Sequence, residues 1–106
     1  MLRDFFTLHG YRVDYFSDGH GAISALRRHP GLYHAVISDI RMSPLDGMEL
    51  LKIVTQEMPQ LPVFLFTADS NEAEKKAALN LGAVSYLVKP FPLSELAEAL
   101  QRRLAS

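Results

Sequence analysis

Residues 35–47 read Ala35-Val36-Ile37-Ser38-Asp39-Ile40-Arg41-Met42-Ser43-Pro44-Leu45-Asp46-Gly47, and this stretch decides the fold class. Three consecutive apolar residues, the form of a strand covered on both faces, stop at a serine and an aspartate. After a short loop, Asp46 can cap a helix from Gly47 to Met58 whose apolar positions are Met48, Leu50, Leu51, Ile53 and Val54. Pro59 closes it. A buried strand that ends in polar residues and feeds an amphipathic helix is the unit from which α/β sheets are built.

The alternation continues in both directions. Downstream, Pro62-Val63-Phe64-Leu65-Phe66 is the most hydrophobic run and stops at Thr67-Ala68-Asp69, as a second buried strand would. Asn71 to Leu81 is helical with Gly82 just past its end, Val84 to Val88 is a strand ending at Lys89-Pro90, and Leu93 to Leu104 repeats Leu96, Leu100 and Leu104 on one face. Upstream, Met1 to His9 carries Leu2, Phe5, Phe6 and Leu8 at helical spacing, with Gly10 suited to stop the helix. Tyr11 to Phe16 alternates Val13 and Tyr15 with polar partners, which predicts a half-buried strand. Asp18-Gly19 then turns into a helix holding Ala22, Ile23 and Leu26 that ends by Pro30. The order α-β-α-β-α-β-α-β-α specifies a parallel sheet with right-handed crossovers and helices on both sides.

Composition sets bounds on function. The 106 residues, 48% hydrophobic and 22% charged, suit one globular domain over 1–106. A formal charge of -1 gives neither a nucleic acid nor an anionic membrane a reason to bind, so no direct nucleic-acid or membrane partner is expected. The chain contains no cysteine, which removes disulfides, thiolate zinc sites and cysteine nucleophiles and fits a reducing cytoplasm. No apolar stretch approaches the ~20 residues of a spanning helix, so the expected localisation is cytoplasmic. His9, His20, His29 and His34 lack the pairing of metal ligands. Gly19-His20-Gly21 lacks the third glycine and the lysine of a phosphate loop. With no acid/base pair or cofactor loop visible, the chain is not expected to be an enzyme.

In an open parallel sheet, ligands bind outside the carboxyl ends of the strands. Three polar side chains fall at three strand ends: Asp39, Thr67 and Lys89. A carboxylate, a hydroxyl and an ammonium at one sheet edge suit the handling of a phosphoryl group. Asp39 could be the nucleophile that forms an aspartyl phosphate. Lys89 could neutralise a phosphoryl oxygen, and Thr67 could donate a hydrogen bond that exists only once phosphate is present.

The segment from Asp39 to Gly47, with Met at +3 and Asp-Gly at +7 and +8, resembles the signature of response regulator receiver domains. Thr67-Ala68, Tyr86 and Lys89-Pro90-Phe91 fall at that family's later motifs, and the resemblance runs from about Leu2 to Leu104. It implies a flavodoxin-like sheet of order 2-1-3-4-5, the order the chemotaxis receivers illustrate. It also implies that Asp39 takes a phosphoryl group from a histidine kinase or histidine phosphotransfer protein, that Lys89 contacts it, and that Thr67 and Tyr86 act as switch residues. The Arg41 carbonyl and the Asp39 carboxylate would ligate Mg²⁺, Lys89-Pro90 would be cis, and the last helix-strand-helix face would carry the output.

The resemblance also has gaps. Ser43 stands where the family has proline, with Pro44 one place later. Met1 falls inside the family's first helix, so strand 1 and the acidic pair that follows it are expected to be missing, leaving an N-terminally truncated receiver with a weak Mg²⁺ site. An uncovered strand edge at a sheet centre is a pairing site, which predicts a homodimer or swapped assembly if the chain is the whole molecule. The competing reading is a phosphorylation-independent interaction module that keeps the receiver fold with a degraded metal site.

Overall fold

The computed structural model describes residues 2–69 and 71–105. Its elements are α1 (Leu2–Leu8), α2 (Gly19–Arg28), β1 (Val36–Asp39), α3 (Gly47–Glu57), β2 (Val63–Thr67), α4 (Glu72–Leu81), β3 (Ser85–Val88) and α5 (Leu93–Ala105). Met1, which the sequence reading assigns to the first helix, lies outside the described residues.

The strands form a parallel sheet of order β1-β2-β3. Strand β2 is central and dry on both faces, and its side chains alternate between two cores as the pleat requires. Val63 and Leu65 join Ile23 and Leu26 of α2, Leu50, Leu51 and Val54 of α3, and Ala78 of α4. Phe64 joins Phe6 of α1 with Leu96 and Leu100 of α5 on the opposite face. This is the doubly wound α/β arrangement that the alternation of elements specifies, with α2, α3 and α4 on one side and α1 and α5 on the other.

The helix boundaries follow their caps. Asp46 and Glu49 form a reciprocal capping box at the start of α3, two otherwise unsatisfied backbone donors being covered at once. Asp18 accepts from the Gly21 amide at 3.1 Å to start α2, and Asn71 accepts from Glu74 to start α4. Gly82 ends α4 at φ 112°, a left-handed conformation that favours glycine.

One expected element does not form: Tyr11 to Phe16 is not a strand. Among the described residues the sheet has three strands, and no ladder runs along residues 11–16. Tyr11 and Val13 do pack on the Phe6–Phe64 core, but Tyr15, expected to face inward with Val13, is exposed, so the alternation holds only over the first half of the segment. A strand, however, also needs a neighbour about 4.8 Å away to take its amides and carbonyls. A cavity of about 600 Å³, lined by residues 11–19 on one side and 32–39 on the other, separates this segment from β1.

Candidate functional site

The register brings the sequence-predicted residues to one edge. Asp39 pairs with Phe66 and Thr67 pairs with Val88. The Lys89 amide then donates to the Thr67 carbonyl at 2.8 Å, so all three residues occupy the carboxyl ends of adjacent parallel strands. Asp39, Phe66 and Lys89 line the same cavity. The Lys89 Nζ sits 4.7 Å from the Phe66 ring centroid, where the ring face holds the ammonium near the edge.

Asp39 is half-buried, and its Oδ1 accepts from the Arg41 amide at 2.9 Å. The loop that follows is fixed by backbone contacts. The Ile40 amide donates to the Phe66 carbonyl at 2.9 Å, and the Gly47 amide donates back to the Ile40 carbonyl at 3.0 Å. A Cβ on Gly47 would lie 2.7 Å from the Ile40 Cα and 2.8 Å from the Asp39 carbonyl oxygen. Only glycine lets the start of α3 approach the end of β1 this closely, which gives the Asp-Gly pair its physical reason. The Ser43-Pro44 and Lys89-Pro90 peptide bonds are both cis.

Thr67 is fully buried and its Oγ1 accepts from the Asp69 amide at 3.1 Å. Tyr86 is buried as well, with its hydroxyl donating to Glu74 Oε1 at 3.0 Å. Burial, seconded by the neighbouring Glu74 carboxylate, raises the Tyr86 phenol above its ordinary pKa. Arg41 reaches the same carboxylate, Nη1 to Oε2 at 2.8 Å and Nη2 to Oε1 at 3.1 Å. That bidentate bond raises the guanidinium pKa further. Glu74 is the residue that sequence reasoning missed. The spacing Asn71-x-x-Glu74 carries a helix-start signal, but nothing local reveals that its carboxylate gathers Arg41 from the β1 loop and Tyr86 from β3.

The four histidines are exposed, and Met42, Met48 and Met58 pack at the margin of the larger core. Arg102 and Arg103 lie in the last turn of α5. Asp69 points outward, its side chain 75% exposed and 3.7 Å from Arg41 Nε.

A Mg²⁺ ion asks for near-octahedral oxygen ligands, usually including one or two carboxylates. The sequence-predicted donors are the Asp39 carboxylate, one oxygen of which already accepts from the Arg41 amide, and the Arg41 carbonyl. No group of three His, Cys, Asp or Glu side chains able to hold a metal occurs among the described residues. On its own this donor set does not fit a resident Mg²⁺ ion. Nor, among the described residues, is any helix long and apolar enough to cross a membrane.

Comparison with known proteins agrees with this geometry. A family profile described as "Response regulator receiver domain" matches residues 1–101. The transcriptional regulatory protein QseB of Haemophilus influenzae is 39% identical over 92 residues, which is 87% of this chain and 41% of that protein. The transcriptional regulatory protein TctD of Salmonella typhimurium is 40% identical over 99 residues, 91% of this chain and 43% of that protein. The chain thus spans about two fifths of the length of these curated relatives. Among solved structures, a response regulator receiver domain protein from Clostridium thermocellum superposes with a TM-score of 0.92 at 22% identity, covering 98% of this chain and 82% of that one. The non-phosphorylated HemR receiver domain of Leptospira biflexa gives 0.87 at 25% identity, covering 99% and 83%.

Proposed function

This chain belongs to the response regulator receiver domain family of two-component systems, and we propose that it works as a phosphorylation-driven signalling module with Asp39 as the phosphoacceptor. Receiver domains are generally signalling modules rather than enzymes and typically bind Mg²⁺. The phosphodonor would be a phosphohistidine on a kinase or phosphotransfer protein. An Asp39 carboxylate oxygen attacks the phosphorus and a new P–O bond forms. The P–N bond breaks, its electron pair stays on the imidazole nitrogen, and that nitrogen takes a proton from solvent. Lys89 offsets charge on a phosphoryl oxygen. The buried Thr67 hydroxyl donates to another oxygen, and Tyr86 follows into the space that Thr67 leaves. The α4-β3-α5 face carries the change to a partner.

The observation that supports this reading best is the shared register of Asp39, Thr67 and Lys89 at the carboxyl ends of three parallel strands. The test is incubation with acetyl phosphate and Mg²⁺ followed by intact mass. The expected result is the mass of one phosphoryl group on the wild type and none on Asp39→Asn. An unmodified wild type, under conditions that load an ordinary receiver, would overturn it.

The thin carboxylate set favours one alternative, a receiver fold that binds its partner without phosphate. That reading predicts equal partner affinity for the wild type and Asp39→Asn, whereas the first predicts a difference that appears only after acetyl phosphate treatment.

A further inference from the structure

The Arg41–Glu74 ion pair ties the loop after β1 to α4 and, through Glu74, to the Tyr86 hydroxyl on β3, and the function proposed above makes no use of it. We propose that Arg41 is a cation with two stations: it clamps Tyr86 through Glu74 while Asp39 is unmodified, and it moves to the phosphoryl group once Asp39 carries one. Glu74 is then the positioning residue for Tyr86. The inference rests on the reading of Asp39 as phosphoacceptor and adds to it the residue pair that holds the unmodified state.

Three observations carry it. First, the Arg41 amide is bonded to Asp39 Oδ1 at 2.9 Å, so the guanidinium is tethered one side-chain length from the carboxylate. Second, both of its terminal nitrogens are spent on Glu74, and the same Glu74 Oε1 accepts from Tyr86. Third, the accessibilities differ. The Arg41 side chain is 46% exposed and can swing, whereas Glu74 is only 17% exposed and depends on its partners.

Charge decides the direction of exchange. A guanidinium offered a monoanionic carboxylate and a dianionic phosphoryl group favours the phosphoryl group, to which it can present the same bidentate fork. Glu74 then becomes a partly buried carboxylate without its cation, a costly state that turning outward to water relieves. Tyr86 loses its shorter acceptor in the same movement and keeps only the Asn71 carbonyl, at 3.5 Å. Asp69, 3.7 Å from Arg41 Nε and largely exposed, is too loosely engaged to hold the guanidinium back.

The experiment uses the full chain labelled with 3-fluorotyrosine, with the Tyr86 fluorine resonance assigned by Tyr86→Phe and intact mass read on the same samples. In the wild type the Tyr86 line is expected to move when acetyl phosphate and Mg²⁺ add a phosphoryl group. Without phosphodonor, Arg41→Gln and Glu74→Gln are each expected to shift that line toward its phosphorylated position. Arg41→Lys, which keeps the charge but loses the fork, is expected to fall between Arg41→Gln and the wild type. A Tyr86 line that stays put in phosphorylated wild type overturns the exchange and leaves the phosphoacceptor reading intact. Unmodified Arg41→Gln and Glu74→Gln spectra that coincide with wild type overturn the clamp. A wild type that gains no mass removes Asp39 as acceptor and the exchange with it, an outcome the mass distinguishes from the other two.

Discussion

Residues 40–46 and residues 11–18 both lie outside the helices and strands, yet they are held in different ways. The first segment is tied through its backbone: the Ile40 amide to Phe66, the Met42 and Gly47 amides to the Ile40 carbonyl, and the Asp46 amide to the Glu49 carboxylate. The second is held at its ends by the Tyr11 amide donating to Phe6 and by Asp18 capping α2, and between them by two inward side chains and the Tyr33 hydroxyl donating to Asp14 at 2.6 Å. Tyr15 in its middle is 70% exposed. A loop becomes a fixed platform when its amides and carbonyls find partners, and inward-facing side chains alone do not achieve that. The platform is the one that carries Asp39.

The largest effect is expected from disturbing the fixed segment at its closest approach. Gly47→Ala forces a Cβ into the backbone of Ile40 and the carbonyl of Asp39, atoms that cannot rotate away. A loss of about 3 kcal/mol in urea unfolding is expected, the upper part of the usual range for overpacking. Asp46→Ala removes the capping box while leaving the glycine in place, and about 1 kcal/mol is expected in the same measurement. If the two substitutions cost the same, close approach is not what holds the loop.

The contrast between segments also explains what could be read ahead of the structure. The three strands that form were visible as short runs rich in apolar residues and ending in polar ones, although only β2 is buried along nearly its whole length and β1, expected to be covered on both faces, is a half-buried edge of the sheet among the described residues. The Asp46 cap and the glycine that closes α4 are found at the expected positions, and Asp18 and Asn71, expected only to lie where their helices start, prove to be the caps. Over Tyr11 to Phe16 the period-2 alternation marks Val13 but not Tyr15 correctly as inward, and pairing depends on whether another strand lies alongside, which alternation does not report. The edge bearing Asp39, Thr67 and Lys89 was readable from strand order. Glu74 was not, since it meets Arg41 and Tyr86 from 33 and 12 residues away.

Hydrogen exchange measures the same contrast without mutation. The amides of Ile40 and Gly47, each bonded to a backbone carbonyl, are expected to exchange well after those of Val13 to Phe16. Equal rates in the two segments would mean that the backbone contacts around Asp39 open as readily as an unpaired strand.

The smallest effect concerns the two tyrosines that serve these regions. A hydrogen bond to Asp14 raises the Tyr33 phenol, and burial seconded by Glu74 raises that of Tyr86. A phenol whose folded pKa exceeds its unfolded value of about 10 contributes stability that is fully present below that pH. The contribution fades as pH rises through the folded pKa, because the folded state then has to give up a proton it holds more tightly. Tyrosinate absorbance should therefore show two late-titrating groups, with Tyr33→Phe removing one and Tyr86→Phe the other. Tyr33→Phe is expected to cost only about 0.5 kcal/mol at neutral pH, the low end for a hydrogen bond near solvent. It should speed exchange in residues 11–18 and leave Ile40 and Gly47 unchanged. A Tyr33→Phe variant that loosened both segments equally would mean that the anchor of the loose segment also supports the fixed one, and the separation drawn between them would fail.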